Sequence, residues 1–213
     1  MGWQLAPDVS FAVASGRTIF LDLARDRYSA LSLAQSDDFQ RWIAQPDDLP
    51  LPPVGERLLQ AGLLISANGP SAISAAAITR PRTALASRPG SPALAAAWDV
   101  ALSSARVRWS LRRRGLAATL ARPGVAIAGN SAERTRDLAA AFVDIRRHLP
   151  SRGSCLPDSL ALLDFLRRRG AGASIVFGVT GTPFRAHCWL QLGEEVLNDA
   201  LDNVAPFTPI LSR

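Results

Sequence analysis

Apolar and polar positions alternate in three short runs near the N-terminus. Val9–Ala14 alternates weakly, residues 18–23 put Ile19 and Leu21 on one face, and residues 27–31 follow a turn at 22–27. A period of two predicts three strands, and Ser15-Gly16 is a turn between the first two. The period then lengthens. Ser36-Asp37-Asp38 opens a helix at residues 39–45, with Ser36 as N-cap. Four prolines from Pro46 to Pro53 end it. A second helix at residues 54–61 stops at Gly62 and leads into Leu63-Leu64-Ile65. Three strands followed by short helices describe a small winged-helix-like module in residues 1–66.

Residues 67–92 are rich in Ala, Ser, Pro and Arg and poor in large apolar side chains, and read as a linker with at most short structure. Beyond them the helical period returns. One helix covers residues 93–114 and is capped by Gly115; another covers 131–148, with Pro150 beyond its end. Both carry arginines along one side, which reads as a solvated face. After a loop at 151–154, residues 156–169 form a third helix with Leu160, Leu163 and Leu166 at helical spacing and Gly170 as its stop. A buried strand at 172–179, a turn at 180–183, a strand at 184–192 and a further strand at 195–199 complete the pattern. The class is α+β, with a second domain at 93–213.

Charge sharpens the division. Residues 1–66 hold five Arg and eight acids, a net of −3; the remainder holds nineteen Arg and ten acids, a net of +9. A pI of about 11 invites a nucleic-acid reading. That reading is disfavoured because the winged unit is the acidic half, whereas a DNA reader concentrates its cations there. All 24 basic residues are Arg, which excludes lysine chemistry such as a P-loop or a Schiff base. With two His and two Cys, a four-ligand zinc centre would need both pairs to converge or carboxylates to join them, which disfavours it, and two Cys are too few for a disulfide-stapled secreted fold. No cofactor motif stands out. Neither a signal peptide nor an apolar run long enough for a membrane span is present, so a cytoplasmic protein is expected.

The strongest chemical signal lies after Pro150. Cys155 sits at the N-terminus of a well-terminated helix, where free N–H groups and the backbone dipole favour thiolate. Position alone leaves two readings open, a nucleophile or a small core residue. In the strand at 184–192, alternation puts His187 and Cys188 on opposite faces. With a turn centred on Gly193, residue 187 faces 199, and His187 and Asp199 meet across a hairpin at about 4.5–5.5 Å between Cβ atoms. A carboxylate at that range fixes the imidazole tautomer and stabilises its cation. Asp202 is the fallback. Thiol, imidazole and carboxylate in the order Cys155, His187, Asp199 match a papain-like or transglutaminase-like cysteine protease domain. Amides at the helix N-terminus, including that of Cys155, become candidates for an oxyanion hole. The same order serves acyl transfer as well as hydrolysis.

The run Cys155-Leu156-Pro157-Asp158-Ser159-Leu160, with Phe177-Gly178-Val179, Pro183-Phe184, His187-Cys188-Trp189 and Asn198-Asp199, resembles the B proteins of lasso-peptide biosynthesis. These are transglutaminase-like cysteine proteases that remove the leader from a ribosomally made precursor peptide. Fused members carry an N-terminal leader-recognition module similar to the pyrroloquinoline-quinone peptide chaperone. The resemblance implies that Cys155, His187 and Asp199 are catalytic. It implies that residues 1–66 hold the leader as an added strand beside residues 27–31, with Tyr28, Leu31, Leu58 and Leu59 as leader contacts. It also implies a separate ATP-using lasso cyclase, similar to asparagine synthetase, as partner. One departure is Cys188, where the family usually has Ala; alternation predicts a packed thiol there, turned from His187 and not bridged to Cys155.

Overall fold

A computed structural model describes residues 2–45, 51–86, 94–121, 132–149 and 154–213, with backbone alone for 94–96. The expected helix start at Ser131, the Pro150 stop, the loop at 151–153 and the last part of the 67–92 segment lie outside these residues.

The N-terminal half contains β1 (Gly2–Leu5), β2 (Val9–Ala14), β3 (Arg17–Asp22), β4 (Arg27–Ala30), α1 (Leu33–Ile43), α2 (Pro53–Gln60) and β5 (Leu64–Ala67). β2, β3 and β4 form an antiparallel meander in that order. Ser15 (φ 51°) and Gly16 (φ 73°) join the first two strands, the paired positive φ of a tight hairpin turn. β1, which its pattern did not reveal, pairs antiparallel with β5.

α1 begins earlier than residue 39 because Ser32, not Ser36, caps it. Ser32 Oγ accepts from the Gln35 N–H at 3.3 Å and Gln35 Oε1 accepts from the Ser32 N–H at 3.1 Å, a reciprocal capping box. Ser36 is buried one turn later, and its Oγ accepts from the Thr18 N–H at 2.8 Å, tying the helix to β3.

The meander is apolar on both faces. One face carries Phe11 and Phe20, which pack with Phe39 of α1 at 5.3 and 5.5 Å between ring centroids, and with Leu58 and Leu64. The other face carries Ala12, Ala14, Ile19 and Leu21 into the core of the second half.

Residues after β5 run along both halves. Ser71 Oγ accepts from the Trp3 N–H at 3.1 Å, the Thr79 carbonyl accepts from Gln191 Nε2 at 2.8 Å, and β6 (Thr83–Ala84) becomes the outermost strand of the larger sheet.

The second half contains α3 (Leu94–Leu120), α4 (Ala132–His148), α5 (Cys155–Arg168), β7 (Ser174–Thr180), β8 (Arg185–Leu192), β9 (Glu195–Val196), α6 (Leu201–Val204) and β10 (Thr208–Ser212). Gly115, at φ 76°, interrupts α3 at its expected cap, and a short helical segment continues beyond it. Val100, Ser103, Val107 and Ser110 of α3 are buried, while Trp98, Leu102 and Trp109 are exposed. α5 is the central helix: Ala161, Leu162, Leu163, Phe165 and Leu166 are buried, and the helix packs against α3, α4 and β8. The five-stranded sheet has the order β10-β7-β8-β9-β6. β10, which the sequence pattern left unassigned, pairs antiparallel with β7 and packs against β2 of the first half.

The β8–β9 register differs from expectation by one residue. Gln191 faces Val196 and Leu192 faces Glu195, so Gly193-Glu194 form a two-residue turn with Gly193 at φ 61°. The strand expected to reach residue 199 ends at Val196.

Candidate active site

The site forms where the N-terminus of α5 meets β8. Cys155, the first residue of α5, is half-buried. Its side chain hydrogen-bonds to the Cys188 thiol and to the His187 ring, and it also accepts from the Cys188 backbone N–H. These contacts, with the Cys188 thiol the strongest, outweigh burial and pull the Cys155 thiol down to about 4.

His187 Nε2 lies 2.6 Å from Asp199 Oδ2, which leaves Nδ1 for the Cys155 sulfur. The Asp199 contact, then Cys155, raises His187 to about 9 against the effect of burial. Burial alone would raise Asp199. It is outweighed by hydrogen bonds from His187, Asn203 and the Ala200 N–H, which hold the carboxyl below its ordinary value. Asp199 Oδ1 accepts from the Ala200 N–H and from Asn203 Nδ2, each at 2.8 Å. The trio therefore holds a thiolate beside an imidazolium, oriented by an ionised carboxylate.

The one-residue register shift would have turned position 199 to the opposite face had the ladder continued. It does not continue. After Val196 only the Leu197 N–H returns to the Leu190 carbonyl, at 2.9 Å. Asn198 Oδ1 then caps the Leu190 N–H at 2.7 Å, and its Nδ2 donates to Ser159 Oγ at 2.9 Å. Ser159, fully buried on α5, donates to the Cys188 carbonyl at 3.2 Å. This clamp joins α5, β8 and the chain leading to Asp199; its members carry no charge pattern that marks them in sequence. Asp202, the fallback carboxylate, is not the partner of His187.

Aromatic rings fix the imidazole from the side. Phe207 lies 5.2 Å and Trp189 6.1 Å from the His187 ring centroid. Gly178 faces His187 across the β7–β8 ladder, and a Cβ there would come within 2.8 Å of both Phe207 and Trp189. Glycine is what lets these rings close.

Cys188 is buried and unbridged. It points into the core as alternation requires, but its thiol touches Cys155, which the sequence reading did not anticipate. The Cys155 contact and burial push the Cys188 thiol well above its ordinary value, so it stays protonated as a donor.

Of the other expected site residues, Tyr28 packs against the core of the second half, Leu31 lies against the Phe-rich cluster, Leu58 is buried inside it, and Leu59 is exposed. A cleft of about 720 Å³ opens beside Asp199 and Asn198. It is bordered by Phe142 and by the Arg146–Asp158 ion pair, whose closest approach is 2.7 Å. Among the described residues no group of three or more His, Cys, Asp or Glu is arranged to hold a metal ion.

A cysteine at the start of α5 faces a histidine on β8 and an aspartate just beyond β9. Residues 96–212 match the transglutaminase-like superfamily, and the chain belongs to that family. Its fold is typical of cysteine peptidases and acyltransferases. Among characterised proteins, the chain is similar to the microcin J25-processing protein McjB of Escherichia coli, 41% identical over 49 residues. That match spans 23% of this chain and 24% of the length of McjB. No solved structure gives a significant match. Among the described residues no helix is long and apolar enough to cross a membrane.

Proposed function

We propose that this protein is a cysteine leader peptidase of lasso-peptide biosynthesis. It would bind the leader of a ribosomally made precursor and cut between leader and core. The observation that carries the reading is the Cys155 thiol, hydrogen-bonded to a His187 ring whose other nitrogen is held by Asp199. The partial likeness to McjB, by its name a peptide-processing protein, supports a peptide as the substrate.

The Cys155 thiolate attacks the carbonyl carbon of the scissile bond, and the resulting oxyanion is received by free N–H groups at the start of α5. His187, protonated through Nδ1, gives its proton to the departing core amine as the C–N bond breaks. The leader remains as a thioester on Cys155. His187, now neutral, takes a proton from water, whose oxygen attacks the thioester and releases the leader carboxylate. Asp199 holds the imidazole in place throughout.

Residues 1–66 act as the leader-recognition module. The outer edge of β4 has no neighbouring strand among the described residues and is available for strand addition, with Leu31 just beyond its end and exposed Leu59 of α2 as further contacts. Tethering raises the local concentration of the cut site, so the peptidase subsites need little affinity of their own. The freed core then passes to a separate ATP-using cyclase.

The test is cleavage of a leader-bearing precursor followed by mass spectrometry. Cys155→Ala is expected to lower cleavage below about 10⁻⁴ of wild type while leader binding persists. A free leader carboxylate marks hydrolysis; a leader joined to an added amine would mark acyl transfer instead. Retained cleavage by Cys155→Ala would remove the nucleophile.

A further inference from the structure

We propose that Tyr28 and Phe184, one from each half of the chain, form an aromatic subsite for the residues on the acyl side of the cut bond. The ligand is an extended peptide presenting an apolar side-chain surface. The proposal rests on the leader-peptidase reading and adds to it: the recognition half also builds part of the cutting site.

Tyr28 lies on β4, directly opposite Leu21 of β3. Cross-strand partners share a face, and Leu21 belongs to the core of the second half. The Tyr28 side chain accordingly turns away from α1 and α2 and toward the site. Its ring meets Phe184 at 5.6 Å between centroids, tilted by 58°. Phe184 directly precedes β8, three residues before His187, and remains 49% exposed. An aromatic ring with one side packed and the other open, beside a reactive centre, is a surface for a ligand group. Tyr28 and Cys155 pack against the same core cluster. The phenol is shifted upward by burial first, and also by the negative charges of Asp26 and the Cys155 thiolate.

The two halves approach closely here. A Cβ on Gly181, in the turn before Phe184, would lie 2.3 Å from the Ala14 carbonyl oxygen. The turn that carries Phe184 thus sits directly on the β2–β3 hairpin, and the subsite is preformed. An added strand advances about 3.3 Å per residue. A leader paired to β4 and continuing past Tyr28 would meet Phe184 and the start of the strand that carries His187. Because the leader precedes the cut, the residues it delivers there lie on the acyl side.

The test uses the full-length protein with Tyr28→Phe, Tyr28→Ala and Phe184→Ala. Three quantities are measured: precursor cleavage, anisotropy of a fluorescent leader lacking its last few residues, and alkylation of Cys155 by iodoacetamide with and without the whole leader. Phe184 is half exposed, so its removal leaves the core intact. Phe184→Ala and Tyr28→Ala are expected to lower kcat/KM about tenfold or more, with truncated-leader affinity and peptide-free alkylation within about twofold of wild type. Tyr28→Phe, which keeps the ring, is expected to cleave near the wild-type rate. The whole leader should shield Cys155 in the wild type and lose that shielding in Phe184→Ala. Cleavage at the wild-type rate by Phe184→Ala overturns the subsite and leaves the peptidase reading standing. So does a loss of truncated-leader binding that accounts for the whole effect. If the wild type cleaves nothing, the peptidase reading falls, and the shielding comparison still decides whether Tyr28 and Phe184 seat a peptide.

Discussion

Cys155 is held as thiolate by neighbours that come from another element, and its reactivity follows theirs. With the thiol near 4 and the imidazole near 9, both groups are charged across the interval between. Below about 4 the sulfur gains a proton and loses nucleophilicity. Above about 9 the imidazole loses the proton that the leaving amine requires. Precursor cleavage is therefore expected to follow a bell with these limbs, read as macroscopic values of the coupled pair. Alkylation of Cys155 needs only the thiolate and is expected to rise through the acid limb alone. Cys188→Ala removes the strongest of the hydrogen bonds to Cys155; the acid limb of alkylation should move upward, and an unmoved limb would show that Cys188 only packs. The place of Cys155 at a helix start was legible in sequence because an arginine-rich last turn and Gly170 mark the other end of that helix. The Cys188 contact was not, since strand alternation assigns faces but says nothing of a helix end that meets the strand.

At the scale of elements, the strand that was expected to carry Asp199 stops short of it. His187 and Asp199 were paired in sequence by a register that the molecule does not use. They meet because the chain leaves the ladder after Val196 and is pinned by Asn198 and Ser159. The helix over residues 156–169 was legible from its Leu160, Leu163 and Leu166 spacing. The start of α1 was misplaced because Ser36-Asp37-Asp38 also resembles a helix start, whereas Ser32 with Gln35 forms the capping box and Ser36 turns inward to Thr18. β10 was missed, its short run Phe207–Leu211 being interrupted by Pro209. Gly178 carries the prediction at this scale. Gly178→Ala forces a methyl group against Phe207 and Trp189, a cost of about 1–3 kcal/mol. Thermal denaturation should report it as a lower Tm, and cleavage should fall further than stability does, because the displaced rings flank His187.

For the whole molecule, the sequence marks two units by charge and composition, whereas the packing joins them through one face of the meander. Ile19, Leu21 and Leu23 are buried in a core that continues through α3, α4, α5 and β7. Exposing side chains of this kind costs roughly 1.5–3 kcal/mol each. Residues 1–86 and 94–213 produced as separate chains are thus expected to melt at lower temperature than the intact protein by circular dichroism, and to copurify when made together. Independent folding of both pieces at the intact Tm would contradict a shared core. Surface charge and linker composition cannot reveal this, since Ala12 and Ile19 serve as inner-face residues whether they pack against a helix of their own half or against another domain.

The doubly apolar meander has a consequence for engineering. A chimera that borrows the whole front half of a relative would bring a foreign underside onto β10 and the turn at Gly181, and would seat poorly. A graft confined to the outer rim of β4 and the solvent-facing positions of α1 and α2 leaves that underside untouched. If the first half binds a peptide as proposed, new specificities are easier to install by repainting one side of the sheet than by exchanging the sheet itself.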